Sequence, residues 1–361
     1  MKIVIFGLTV SSSWGNGHAT IWRGLCSAFA RRGHRVVFFE RDLPFYASAR
    51  DLTTLPGGGD LFLYSEWWEV FSIAGRHLAD ADVGIVTSYC PDGVAASRLI
   101  LDSNARWRIF YDLDTPVTLA SLRAGEPVPY IPPHGLADFD LVLSFTGGDS
   151  LRQLREILGA RRAEPLYGSV DPEAHRPAGR CPQYESDLSY LGTWAPDRDR
   201  MLRALFVDAA ARAPHAKFLI GGSKYDASFP WASNIYFVNH VAPVDHPAFY
   251  CSSRITLNVT RGAMASLGYC PSGRLFEAAC CGTPLLTDYW PGLEHFFEPG
   301  SEILPVSGSG EVIEAMQLSD AELRRIANAA RERTLAHHTA AVRAQEFERL
   351  LESGGTQEAV A

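Results

Sequence analysis

The chain has 361 residues, 47% hydrophobic and 20% charged, a size and balance that suit two globular domains. Its net charge of −8 gives no general electrostatic case for binding nucleic acid or an anionic membrane. The seven cysteines are odd in number, form no CxxC and have no histidines clustered around them. They read as thiols of a reducing, cytoplasmic compartment, with neither zinc nor a disulfide framework expected.

The opening MKIVIFGL is a short apolar run that stops at Thr9 and Ser11. It is too brief for a signal peptide or a membrane span and reads as a first buried strand. KIVIFG (2–7), RVVFFE (35–40), DLFLY (60–64), VGIVTS (83–88), RIFYDL (108–113) and FDLVLSF (139–145) predict strands. Amphipathic helices are predicted between them at 18–33, 66–81 and 93–103, with one more at 151–160. Near-continuous apolar strands alternating with such helices indicate a parallel sheet covered on both faces. The Pro-rich passage VDPEAHRPAGRCPQ (170–183) then reads as an interdomain linker.

The pattern restarts beyond it, with strands predicted at 186–192, 216–222, 234–240, 254–260 and 283–288. Helices are predicted at 197–213, 246–253, 272–281, 311–334 and 336–352, before a frayed tail at 354–361. Two doubly wound α/β domains in tandem are expected, 1–169 and 170–335, with the cleft between them as ligand site.

The loop after the first strand contains Gly15-Asn16-Gly17, which allow a ligand to approach the backbone at a helix start that favours anions. Glu40 ends the second strand, where a dinucleotide-binding protein places its ribose carboxylate. An NAD-dependent enzyme is thus a rival reading. The fingerprint fits it poorly, because Gly7 and Gly15 are far apart and Thr20 replaces the third glycine. His18 stands at the helix start, where an imidazole takes a proton from a hydroxyl or orients it; the alternative is a ring that caps or packs the loop. In FYDLDTPVT, Asp112 and Asp114 fall at a strand's carboxyl end. Asp114-Thr115-Pro116 has the form of a helix N-cap, which leaves Asp112 as the catalytic candidate.

Three strand-end loops matter in the second half. YLGTWAPDRDR (190–200) carries Thr193, and IGGSKYD (220–226) carries Ser223 and Lys224. NVTRGAMASLGYCPSGRLFEAACCGTP (258–284) carries Arg261, Tyr269, Ser272, Gly273, Arg274 and Glu277. Lys224, Arg261 and Arg274 are placed to converge on a diphosphate, assisted by helix-start N–H groups. Glu277, one turn into the helix, suits a ribose diol.

RLFEAACCGTP (274–284), DYWPGLEHFF (288–297), LNVTR (257–261), WGNGH (14–18), ERD (40–42), DLDTPVTLASL (112–122) and LVLSFTGG (141–148) together carry a resemblance. The chain resembles nucleotide-sugar glycosyltransferases of the GT-B fold, and within them the bacterial CgeB-like, group 1-type family, to about residue 350. The resemblance implies an α/β fold of two Rossmann-like domains facing a central cleft, with the donor on the second and the acceptor on the first. A C-terminal helix, 336–353, would cross back to the first domain. It also implies metal-independent transfer of a sugar from a nucleoside-diphosphate sugar to an acceptor, which would be a glycan, a lipid-linked molecule or a small molecule. No cofactor beyond the donor is implied.

By the same resemblance, Glu277 would hold the ribose, and Lys224, Arg261 and Arg274 would neutralise the diphosphate. His240 and Val241 would lie near the base. His18 would act as base in an inverting enzyme, or contact acceptor and phosphate with Gly15, Asn16 and Gly17 in a retaining one. Retaining relatives carry a second glutamate eight positions before this one, where Tyr269 stands here, so the stereochemical outcome stays open. Two rivals remain: an epimerase or hydrolase on the same fold, and a non-catalytic nucleotide-sugar-binding protein.

Overall fold

Runs such as Ile3-Val4-Ile5-Phe6 and Val36-Val37-Phe38-Phe39 have no polar face, so as strands they need cover on both sides. All of these side chains are buried. The computed structural model describes residues 1–15 and 17–355; Asn16 of the glycine loop and residues 356–361 of the predicted tail lie outside the described residues. The chain divides into two compact units, Met1–Gly168 with the chain from Ala340 onward, and Ser169–Thr339.

The first unit contains β1 (Lys2–Gly7), α1 (Gly17–Arg31), β2 (Arg35–Arg41), α2 (Pro44–Ala47), β3 (Asp60–Tyr64), α3 (Trp67–Leu78) and β4 (Val83–Thr87). It continues with α4 (Gly93–Leu101), β5 (Trp107–Asp112), α5 (Thr115–Arg123), β6 (Leu141–Ser144), α6 (Asp149–Leu158) and β7 (Ala163–Pro165). The sheet is parallel, in the order β3-β2-β1-β4-β5-β6-β7. Strand order reverses between β1 and β4, so the loops leaving these two strands diverge, the place where doubly wound sheets take ligands.

The second unit contains β8 (Ser186–Leu191), α7 (Pro196–Leu202), α8 (Asp208–Arg212), β9 (Phe218–Gly222), β10 (Ile235–Asn239), α9 (His246–Ser252) and β11 (Ser253–Asn258). After these come α10 (Gly262–Leu267), α11 (Gly273–Cys280), β12 (Leu285–Thr287), β13 (Leu304–Pro305), α12 (Ser309–Met316) and α13 (Asp320–His337). A π-helical turn over Arg203–Val207 joins α7 to α8. The sheet runs β10-β9-β8-β11-β12-β13, again all parallel, and its reversal lies between β8 and β11.

The last helix, α14 (Ala340–Gly355), belongs to the first unit and packs on α1. Phe29 and Phe347 meet at 5.2 Å between ring centroids, and Glu348 pairs with both Arg32 and His34. Among the described residues no helix is long and apolar enough to cross a membrane.

Two expectations are corrected. The single helix predicted at 311–334 is two, because Ser319 accepts a hydrogen bond from Glu322 N and starts α13 as a new helix. The passage 170–183, read as an interdomain linker, packs against the second unit rather than only joining the two. Ala178 N donates to Cys251 Sγ and Cys181 N to Ser252 Oγ, while His175 is buried.

Candidate functional site

In the first unit, Glu40 at the end of β2 holds the loop after β1. Its carboxylate accepts from Thr9 Oγ1 and Val10 N, both at 2.7 Å, from Ser11 N at 2.9 Å and from Ser11 Oγ at 2.6 Å. The group that a dinucleotide reading would aim at a ribose is occupied by its own chain, which removes the main support for that reading. Gly15 has φ 61° and, like Gly17, is exposed with open space around it.

His18 lies in the first turn of α1 and is buried. Its Nε2 is 2.7 Å from Oδ2 of Asp114, and the Ser88 hydroxyl donates to the same oxygen at 2.9 Å. Asp114 does occupy the N-cap position of α5, but its side chain makes no capping hydrogen bond and turns to the histidine instead. Asp112, the catalytic candidate of the sequence, sits deeper than Asp114. It is fully buried, and its Oδ1 accepts from Asp114 N and Thr118 Oγ1, while Oδ2 has no hydrogen-bond partner among the described residues. Burial, and then the neighbouring Asp114 charge, push the Asp112 carboxyl up to about 7.

Tyr89, in the loop after β4, sets its ring edge-on to His18 at 6.3 Å and against Tyr130 at 5.1 Å, and is 42% exposed.

In the second unit the loops after β8 and β9 cross closely. A Cβ on Gly222 would lie 2.1 Å from Gly192 O, and its φ of 152° is also unsuited to other residues. That approach lets Thr193 Oγ1 meet Ser223 Oγ at 3.2 Å and Trp194 N donate to Ser223 O. Arg198, at the start of α7, donates through Nη1 to Thr193 O at 3.2 Å, and its buried Nε has no partner among the described residues. Burial, together with the charges of Arg274 and Arg261, holds the Arg198 pKa below its ordinary value. Arg261 pairs with Asp197 at 2.9 Å, and Lys224 is exposed.

Ser272 is the N-cap residue of α11, though its side chain makes no capping bond, and Gly273 and Arg274 open the helix. Glu277 is 7% exposed, and Tyr250 OH donates to its Oε2 at 3.4 Å. Despite burial, the charges of His175, His246 and Arg274 hold its carboxyl below the usual range. Val241 is buried, and its carbonyl accepts from His246 Nε2 at 3.2 Å.

Four non-glycine residues have positive φ among the described residues: Tyr89 (56°), Lys224 (66°), His240 (56°) and Tyr269 (48°). Three are predicted donor residues and the fourth adjoins His18. Backbone strain of this kind costs about 1–3 kcal/mol per residue and concentrates at ligand sites.

Similarity to solved structures covers nearly the whole chain. Sucrose-phosphate synthase from Thermosynechococcus elongatus is 15% identical with a TM-score of 0.70, covering 98% of each chain. Anabaena HepE in complex with UDP-glucose is 12% identical with a TM-score of 0.69, covering 98% of this chain and 100% of that one. The fold is GT-B. T4 phage BGT in complex with its UDP-glucose substrate is 11% identical, with a TM-score of 0.63 and coverage of 98% and 99%. Residues 200–349 match the sequence family described as Glycosyl transferase-like. No curated protein matches the chain.

On this GT-B frame, the predicted residues Thr193, Ser223, Arg261, Ser272, Gly273, Arg274 and Glu277 stand at strand-end loops or at the start of α11 in the second unit. Tyr269 lies between α10 and α11, its N–H donating to Pro291 O and its ring 6.3 Å from His295. Four residues escaped sequence reasoning: Asp114 as the partner of His18, Arg198 beside the other guanidinium groups, and His175 and His246 beside Glu277.

Proposed function

We propose that this chain is a glycosyltransferase that moves a sugar from a nucleoside-diphosphate sugar to an acceptor hydroxyl. The His18–Asp114 contact of 2.7 Å is the observation that carries the reading. With Nε2–H donated to Asp114, the neutral tautomer has its lone pair on Nδ1, which is buried in the free chain, and we assign the hydroxyl proton to that atom once an acceptor opens access to it. The acceptor oxygen then attacks the anomeric carbon as the bond to the diphosphate breaks, and Asp114 stabilises the imidazolium that forms. This direct displacement inverts the anomeric centre, an outcome to which Tyr269, in place of a second glutamate, lends support.

Donor binding belongs to the second unit. Arg198 and Arg274 neutralise the departing diphosphate, with Lys224 and Arg261 beside them, so no metal is needed at that point. Glu277 takes the ribose diol, and the backbone around His240-Val241 takes the base. UDP-sugars are the first donors to test, because the HepE and T4 BGT structures hold UDP-glucose. Within the class, RLFEAACCGTP supports a CgeB-like, bacterial enzyme, and the unpatterned cysteines favour a reducing, cytoplasmic compartment. The net charge of −8 favours a glycan, lipid-linked or small-molecule acceptor over nucleic acid.

The test is UDP release from a panel of UDP-sugars, with and without a panel of acceptor alcohols. Acceptor-dependent release that disappears in His18→Ala is expected. Equal release without acceptor would identify a hydrolase, and nucleotide binding without turnover a binding protein.

A further inference from the structure

Three side chains from three separate segments meet inside the second unit. Oε2 of Glu277 lies 4.0 Å from Nε2 of His175 and 3.9 Å from Nδ1 of His246. One ligand-capable atom from each residue falls within 4.8 Å of the other two. These separations are too long for hydrogen bonds. Neither ring nitrogen of the buried His175 has a hydrogen-bond partner among the described residues, and neither does Nδ1 of His246. Buried polar atoms are nearly always paired, so three orphaned nitrogens around one carboxylate require a bridging species.

The tautomer of His246 says which kind. Val241 O can only accept, so Nε2 carries the proton in that contact. In the neutral ring Nδ1 then aims its lone pair at a carboxylate oxygen. Two lone pairs facing each other in a buried site repel unless a positive charge sits between them. A backbone carbonyl behind the ring is also the usual outer partner of a metal-bound histidine, fixing its orientation and raising its basicity.

We propose that His175, His246 and Glu277 bind one divalent cation of the zinc class, with water completing the coordination. Two imidazoles and one carboxylate suit Zn²⁺ or Co²⁺, whereas Mg²⁺ and Ca²⁺ take oxygen ligands. Metal–ligand bonds of about 2.0–2.2 Å put ligand atoms roughly 3.4 Å apart in a tetrahedron, so on loading each histidine closes on Glu277 by about half an ångström and the two histidines close on each other by up to about 1.4 Å. The ion holds Oε2 and leaves Oε1, which lies 3.8 Å from a Cβ built on Gly273, directed to the start of α11. Its role is to position Glu277, and neutralisation of the diphosphate stays with the guanidinium groups. The site goes beyond the transferase reading and does not depend on it, since metal binding needs no donor.

The experiment strips the full chain with a chelator and titrates it with Co²⁺, following visible ligand-field absorption. Metal content is measured separately after Zn²⁺ loading and desalting. Wild type is expected to bind one equivalent, and His175→Ala and His246→Ala to bind at least about tenfold more weakly. His246→Gln serves as a second variant should an alanine variant misfold, which circular dichroism of the stripped proteins reports. Absence of a stoichiometric site in wild type, or equal binding by folded variants, overturns the proposal and assigns the gap to water. UDP, GDP and dTDP titrations run in parallel keep the two readings apart: metal binding with no nucleotide bound sinks only the transferase, and nucleotide binding with no metal site sinks only the metal proposal.

Discussion

Asp114, and not its neighbour Asp112, takes Nε2 of His18 at 2.7 Å, and Ser88 steadies the same carboxylate oxygen from the other side at 2.9 Å. An asparagine at 114 keeps the size but no longer stabilises an imidazolium and permits the wrong ring tautomer. Asp114→Asn is therefore expected to lower kcat on the order of 10³-fold, with little change in donor KM. His18→Ala should fall as far, and the double variant little further, because the two residues act as one unit. Steady-state kinetics on the three variants decide the matter. Additive losses would show that His18 and Asp114 act separately.

Asp112 links the same unit to pH. Its carboxyl is pushed up to about 7 in the folded chain, against an ordinary value near 4 when unfolded. Between those values the folded state binds more protons than the unfolded state, so stability falls as pH rises from about 4 to about 7 and levels off above. The span is worth roughly 4 kcal/mol at most. Asp112→Asn keeps an acceptor for Asp114 N and Thr118 Oγ1 and cannot ionise. Its Tm is expected to exceed that of wild type at pH 8, with the advantage shrinking or reversing at pH 5. Parallel Tm curves for the two proteins would count against an uncharged Asp112.

The sheets were legible in the apolar runs, since four-residue stretches such as Ile3–Phe6 and Val36–Phe39, apolar on both faces, have no other stable home. The break between α12 and α13 was legible too, in Ser319 followed by Glu322, but the helical apolar spacing on both sides outweighed it. Asp112 and Asp114 differ only in where the strand ends. Asp112 closes β5 and points into the core, while Asp114 falls after the strand has turned. No residue type announces that turn to within one position.

Arg198 sits in a run of charges, PDRDR, that reads as a solvated helix face. Only the crossing of the β8 and β9 loops shows which arginine is half-buried. His175 lay in a Pro-rich passage read as an interdomain linker, and its burial is set by packing within the second unit. The positive φ angles of Lys224, His240 and Tyr269 have no signature in residue types that rarely adopt them.

Glu277 makes a prediction about the ligand rather than the protein. A buried carboxylate kept below its usual range beside the Arg274 charge is matched to a pair of hydroxyls. Wild type is expected to bind UDP about 10-fold to 100-fold more tightly than 2′-deoxy-UDP, the worth of a hydrogen bond to a charged group. Glu277→Ala should weaken UDP and bring the two nucleotides to nearly equal affinity. Calorimetry on the two proteins with the two ligands forms a closed cycle. A deoxy penalty that survives in Glu277→Ala would place the ribose elsewhere.

Arg198 predicts a conflict between stability and binding. Its Nε has no partner among the described residues, and Arg261 and Arg274 lie near enough to disfavour its charge. The free protein thus carries a repulsive cluster whose relief awaits an anion. Arg198→Met keeps much of the side-chain volume and removes the charge, at the cost of one hydrogen bond to Thr193 O. A variant of this kind commonly gains about 1–4 kcal/mol, or a few degrees in Tm for a chain of this size. The same substitution should abolish most of the Tm increase that saturating UDP produces in wild type, because the diphosphate loses a half-buried cation. Thermal unfolding of both proteins, with and without UDP, reads the two effects together. A lowered Tm without ligand, or an undiminished UDP shift, would mean that Arg198 is held for structure and not for an anion.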